Sequence, residues 1–255
     1  MFTPASTTLG PRALTAAVTG VAAVSHETRL EMFALYERHY LATSFAQFQT
    51  DLDAKDSVFL LHDDNGDVCG FSTIVVWDAV ACGERVRVVF SGDTIIDPAF
   101  WGTQTFAFTW LRHVGAIAAA RPATPLFWLL MVKGHRTYRY LPAFGLHFEP
   151  DWRGREDGRL VALKHDIASQ YFGPAYDPST GTVSFDRSRG HLTPALAAPT
   201  PREAEREDVR FFLQRNPGFV HGTELVCLCE LEAANMRPLA RRLFLQGHVP
   251  QGHGR

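Results

Sequence analysis

Lysine is scarce: Lys55, Lys133 and Lys164 are the only three among 25 basic residues in a chain of 255. An excess of either charge is missing too. The 25 basic residues nearly balance 27 acidic ones, and a net charge of -2 excludes a general attraction to nucleic acid. The arginines are scattered, as codon usage would leave them, rather than gathered into a binding surface. Four cysteines (Cys69, Cys82, Cys227, Cys229) form no C-x-x-C, which excludes a disulfide scaffold and leads us to expect a reducing, cytoplasmic compartment. Cys227 and Cys229 alternate on an expected strand and so face one side, as a pair of small buried hydrophobes or, second, half a metal site. No apolar run reaches the length of a membrane span, so no membrane partner is expected. Leu14 to Val24 is Ala/Val-rich but lacks a Leu-rich stretch, and residues 1–24 read as an N-terminal arm rather than a signal peptide. There is no G-x-S-x-G, Walker A, H-E-x-x-H or G-x-G-x-x-G motif. Eleven histidines include no pair at ligand spacing with an acid on one helix, so no metal is expected; His248 and His253 read as a tail.

What is present is globular. Apolar residues make up 46% against 20% charged, enough for a full core, and 19 phenylalanines predict that aromatic contacts fill it. Ser25 is a candidate N-cap for a helix carrying Met32, Leu35 and Tyr36, and Phe45, Phe48 and Leu52 suggest a second. The period then changes: Ser57–His62, the turn Asp63-Asp64-Asn65-Gly66-Asp67 and Val68–Trp77 read as a hairpin, followed by a strand over Arg85–Ile96. A helix over about Thr103–Arg121 buries Phe106, Trp110, Val114 and Ile117, and the continuous run Leu126–Val132 suits a strand covered on both faces. A short helix over Thr137–Leu141 and a last strand over Gly145–Phe148 complete an order α-α-β-β-β-α-β-α-β for residues 25–150.

Residues 151–255 look different and read as a C-terminal extension packed on that domain. Leu160–Leu163 suggests a strand, Tyr171–Thr200 a loop-like stretch, Arg202–Arg215 an amphipathic helix, Leu225–Leu228 a strand and Met236–Leu245 a final helix. No internal repeat is visible.

That order of elements resembles the GNAT acyltransferase superfamily. The Val68-Cys69-Gly70-Phe71 step, the junction Ile96-Asp97-Pro98-Ala99-Phe100-Trp101-Gly102-Thr103 and the Phe144-Gly145-Leu146 step carry the resemblance. It implies a mixed α/β fold, a central mixed sheet flanked by helices, and transfer of an acyl group from acyl-CoA to an amine. A helix N-terminus with exposed amides at the junction suits a pyrophosphate. The family's Q/R-x-x-G-x-G/A loop is altered here, with Trp101, Gln104 and Phe106 at its three signature positions. Three readings of the donor stay open: CoA held by a variant loop, an acyl group on a carrier protein, or a fold that has lost its cofactor. The last would make the protein a non-catalytic binding protein whose donor groove is plugged by Trp101, Gln104 and Phe106.

Amine acylation needs a base, amide donors for the oxyanion and an acid for the leaving thiolate. Asp93, following Gly92 in an apolar strand where burial raises a carboxylate pKa, is the candidate base; a turn cap or arginine partner is the other reading. The resemblance suggests Tyr138 as general acid, against packing on the sheet; Tyr140, two residues on, faces elsewhere. Trp101, Gly102, Thr103, Gln104 and Thr105 are expected to hold the donor. Lys133, His135, Arg136 and Arg139 cluster after a buried strand, and Lys133 and Arg136 are candidates for the donor phosphate or an acceptor carboxylate, against a solvated helix start. The polar, glycine-rich segment Arg215–Glu224 is a candidate cover for the acceptor site, with His221 and Glu224 reaching in, or an ordinary loop. The expected acceptor is a small-molecule amine.

Overall fold

The computed structural model describes residues 14–186 and 189–248. The first thirteen residues of the expected arm, and His253, lie outside them. Among the described residues no helix is long and apolar enough to cross a membrane. The remainder of the arm is not loose: β1 (Thr15–Gly20) pairs antiparallel with β3 (Ser57–His62) along its whole length. Helix α1 (His26–His39) begins where the Ser25 hydroxyl accepts the Thr28 amide, and a two-residue strand, β2 (Tyr40–Leu41), separates it from α2 (Phe45–Asp53). The turn after β3 is closed by Asp63, whose carboxylate accepts the Asn65 and Asp67 amides, and leads into β4 (Val68–Ala81) and β5 (Glu84–Ile96).

Helix α3 (Thr105–Ala120) crosses over to β6 (Leu126–Val132), making β5 and β6 the parallel pair at the centre of an otherwise antiparallel sheet. Two short helices follow, α4 (His135–Tyr138) and α5 (Tyr140–Phe144). The expected strand over Gly145–Phe148 is absent. Asn235 takes up that segment instead, accepting the His147 amide and donating to the His147 carbonyl, so it makes isolated bridges rather than a ladder. Leu160–Leu163 is likewise not a strand but the first turns of α6 (Gly158–Phe172), capped by Asp157, with Leu160, Leu163 and Ile167 buried at helical spacing. A short apolar run alone does not separate these two outcomes.

Beyond α6 lie β7 (Tyr176–Asp177), β8 (Thr182–Val183), β9 (His191–Leu192), α7 (Pro194–Ala197), α8 (Pro201–Ala204), α9 (Glu207–Arg215), β10 (Glu224–Glu230) and α10 (Pro238–Gly247). The single helix expected over Arg202–Arg215 is broken at Arg206, whose backbone is extended and whose guanidinium grips Asp208. The eight-stranded sheet runs β1-β3-β4-β5-β6-β10-β8-β7. The expected boundary at residue 150 therefore does not divide the sheet, because β10 lies against β6 and fills the place of the missing strand.

Strand alternation sorts the core onto two faces. Val89, Trp128 and Leu130 pack under α3 and α10, while Val88, Phe90, Phe127 and Leu129 pack under α6. Cys227 and Cys229 share the first face, both buried. Helices α3 and α10 touch through glycine: a Cβ on Gly115 or on Gly247 would fall inside the contact radius of the opposing backbone.

Candidate active site

The parallel ladder between β5 and β6 ends early. It runs from Arg87 opposite Leu126 to Ser91 opposite Leu130 and goes no further; β6 continues along β10 while β5 stays with β4. Just past the split, β5 bulges. Thr73 pairs with Gly92 and Phe71 with Ile95, so Asp93 and Thr94 together oppose the single residue Ser72. Asp93 takes φ 46°, in the left-handed region, which a residue bearing a Cβ enters at a cost of order 1–3 kcal/mol. Hydroxyls hold the distortion in place. Ser72 Oγ lies 2.7 Å from Thr94 Oγ1, and Thr73 Oγ1 donates to the Gly92 carbonyl at 3.0 Å. Trp128 Nε1 donates to Ser91 Oγ at 3.0 Å and ties the last paired rung across to β6.

Two cavities open from this split, and Tyr40, Thr94 and Thr137 border both. The first, about 280 Å³, lies on the α6 face between α2, the end of α6 and β10. The second, about 330 Å³, lies beside the junction that precedes α3. A narrow aromatic cleft of about 20 Å³, lined by Phe106, Trp110, Trp128, Tyr140 and Phe144, also borders Thr94 and Thr137.

The first cavity is charged. Asp93 lines it half-buried, with no hydrogen-bond or ion-pair partner among the described residues. Lys133 Nζ sits 3.7 Å from the buried Glu224 carboxylate and 5.3 Å from the Tyr40 ring. Burial pushes the Glu224 carboxyl up; the charge of Lys133 opposes this and that of Asp93 adds to it. Burial works against the Lys133 ammonium, but Glu224 and Asp93 together hold its pKa above the ordinary value.

Several buried polar atoms line the second cavity. His39 Nε2, Thr103 Oγ1 and both ring nitrogens of His135 make no hydrogen bond to the described residues, although His135 Nε2 lies 3.6 Å from a Glu203 carboxylate oxygen. Such atoms cost free energy unless a ligand or water meets them. Burial lowers the pKa of both His39 and His135 and so favours the neutral imidazole in each. Gly102 takes φ 87° at the cavity mouth, a conformation that suits glycine. Arg139 lines the wall with no acidic partner among the described residues.

The expected residues divide as follows. Asp93 stands at the split. Trp101, Gly102 and Thr103 line the second cavity, whereas Gln104 and Thr105 do not; they head α3. Trp101 is turned outward, 45% exposed, with its indole N–H on the Ile96 carbonyl and Arg136 stacked on its ring at 4.8 Å. Arg136 borders the cavity, but its guanidinium is spent on Glu203 and the Leu196 carbonyl. Lys133 is not on that side; it belongs to the first cavity. Tyr138 must be corrected. It is fully buried and borders none of the three spaces; its hydroxyl donates to the Pro150 carbonyl at 2.7 Å and accepts the Trp152 amide, while burial drives its pKa far up. Tyr140, expected to face elsewhere, lines both the second cavity and the cleft. Of the segment before β10, Glu224 reaches the first cavity while His221 is exposed. Sequence reasoning missed Lys55 and Thr137; the scarcity of lysine was the one signal pointing to the first.

No family model matches the chain, and no curated protein matches it. Solved structures do. A protein of unknown function from Enterococcus faecalis, described as a probable N-acyltransferase, is similar at 16% identity and TM-score 0.39 over 53% of this chain and 33% of its own. The Escherichia coli GNAT family N-acetyltransferase YhbS, in complex with CoA, is similar at 18% identity and TM-score 0.37 over 54% of this chain and 72% of its own. Escherichia coli ElaA is similar at 14% identity and TM-score 0.35 over 57% of this chain and 95% of its own. This chain thus spans about a third of the Enterococcus protein.

Proposed function

We propose that the protein transfers an acyl group from a thioester, acyl-CoA or an acyl-carrier protein, to a primary amine of a small molecule by direct attack. The observation that carries this reading is the meeting of two cavities at one bulge where parallel strands part, since a donor and an acceptor entering from opposite faces of the sheet come together there. The buried polar atoms of His39 and Thr103, without hydrogen-bond partners among the described residues, and the Arg139 guanidinium, with no acidic partner among them, support a phosphate-bearing donor in the second cavity.

In this reading Asp93 takes one proton from the ammonium, and the freed lone pair attacks the thioester carbonyl carbon to form the C–N bond. Asp93 and Thr94 have no partner in either neighbouring ladder, and their amides are the candidates to hold the oxyanion. As the C–S bond breaks, one of the two protons left on nitrogen reaches sulfur through the Tyr140 hydroxyl, giving the thiol and an amide that keeps the other; Asp93 returns its proton to water. Burial raises the Tyr140 pKa, which keeps it the protonated acid that the leaving thiolate requires. The cleft beside the split has room for about one water-sized group, which favours a short acyl such as acetyl over a long chain.

The rival reading, a plugged binding protein, loses support because Trp101 turns outward, Gln104 heads the helix and a cavity stays open at the junction; only Phe106 borders the cleft. Thermal-shift titration with CoA, acetyl-CoA, a long-chain acyl-CoA and an acyl-carrier-protein thioester tests the proposal. The expected result is a saturable rise with acetyl-CoA, since a ligand bound by the native state raises the melting temperature. No rise with any donor at millimolar concentration would overturn it.

A further inference from the structure

The first cavity holds three acids and three bases, and they do not pair off evenly. Lys133 is matched by Glu224 at 3.7 Å and Arg189 by Asp51 at 3.6 Å. Two opposite charges remain without an ion-pair contact among the described residues, Asp93 acting on Lys133 only through space. Asp93 has no ion-pair or hydrogen-bond partner among the described residues, and the Lys55 ammonium has only the Asp51 carbonyl at 3.2 Å and the face of Phe90 at 5.6 Å. Half-buried charges left unpaired are costly, and each is settled by a ligand group of the opposite sign.

Building on the acyl-transfer reading, we infer that the acceptor is a zwitterion, an α-amino acid with an apolar side chain, its ammonium on Asp93 and its carboxylate on Lys55. A plain monoamine leaves Lys55 unmatched, and a diamine brings a second cation to it. A phosphate dianion asks for more than one free cation, and Lys133 and Arg189 are already committed. The walls suit an apolar side chain: Tyr171 lies 5.3 Å from Phe90 and stacks on Trp77 at 4.5 Å, and Phe172 closes edge-on at 6.1 Å from Phe90. Size points the same way. Sites for drug-sized ligands start at about 300 Å³, so a cavity of about 280 Å³ fits a small metabolite rather than a peptide.

Calorimetric titration of the full chain, without donor, tests this with four probes: L-phenylalanine, L-leucine, phenethylamine, which lacks the carboxylate, and hydrocinnamate, which lacks the amine. The two amino acids should bind, and each truncated probe should bind at least tenfold more weakly than phenylalanine. In Lys55→Met the gap between phenylalanine and phenethylamine should close; in Asp93→Asn the gap between phenylalanine and hydrocinnamate should close. Circular dichroism of both variants checks that they fold. Equal affinity for phenethylamine and phenylalanine, an unchanged gap in Lys55→Met, or no binding of either amino acid at millimolar concentration would overturn the inference. A parallel titration with acetyl-CoA separates the two levels. Donor binding without amino-acid binding sinks only the acceptor assignment, whereas amino-acid binding without donor binding leaves this site standing and removes the acyl transfer.

Discussion

Ser72 Oγ lies 2.7 Å from Thr94 Oγ1, joining β4 to the bulge of β5 that turns Asp93 out of the ladder. Both hydroxyls lie beside the point where β5 and β6 part, so the bond holds the bulge as well as the sheet. Ser72→Ala removes it and also the hydroxyl that reaches the Gly92 carbonyl. We expect a loss of about 1 kcal/mol in chemical denaturation, with a fall in kcat larger than any rise in KM.

Asp93→Asn keeps the shape of the side chain and removes the proposed base. Turnover should fall by about 10²- to 10⁴-fold, while the calorimetric affinity for acetyl-CoA stays within twofold of the parent. An unchanged rate would take Asp93 out of the chemistry.

Tyr138 and Tyr140 should separate cleanly. Tyr138→Phe strips a buried donor from the Pro150 carbonyl and an acceptor from the Trp152 amide, which costs about 1–3 kcal/mol of stability with kcat nearly unchanged. Tyr140→Phe loses no hydrogen bond to described residues and should slow turnover by about 10²-fold at nearly constant melting temperature. The opposite pattern would restore Tyr138 as the acid.

Lys164 lies buried 3.1 Å from Glu149 under the sheet. Lys164→Met leaves a buried carboxylate alone and should cost about 3–5 kcal/mol, whereas Lys164→Met with Glu149→Gln should recover most of it. Denaturant midpoints of the single and double variants measure the difference.

Glu203 sets an acid limit. Burial alone would raise its carboxyl, but the Thr200 amide and hydroxyl and the Arg136 guanidinium outweigh that and hold it at about 2. A depressed carboxylate stabilises the fold above its unfolded pKa, and that contribution is lost as pH falls from about 4.5 toward 2. Melting temperatures of the parent should drop through that window, and Glu203→Gln should drop less.

Local chemistry made the central elements legible. The Ser25 cap, the Asp63 turn and the continuous Leu126–Val132 run all form what their residues suggest, because each depends on neighbours in sequence. What was not legible depends on distant partners. Gly145–Phe148 has the composition of a strand, but Asn235 claims its backbone and β10, about eighty residues later, takes the place beside β6. The sequence favours Tyr138 over Tyr140; only the hydrogen bonds of Tyr138 to Pro150 and Trp152, from a later stretch of chain, assign it to the core. The rarity of lysine was a usable signal throughout, for two of the three line the charged cavity and the third forms a buried ion pair.

Thiol release and amide formation, measured together, test acyl transfer most directly. The full chain is incubated with acetyl-CoA and a panel of primary amines that includes amino acids and monoamines, with free thiol read by colour and N-acetyl product by mass. The predicted result is thiol and amide formed in equal amounts with at least one amine, both lost in Asp93→Asn. Thiol release without amide, or neither product above the uncatalysed rate with every amine while acetyl-CoA is bound, would contradict it.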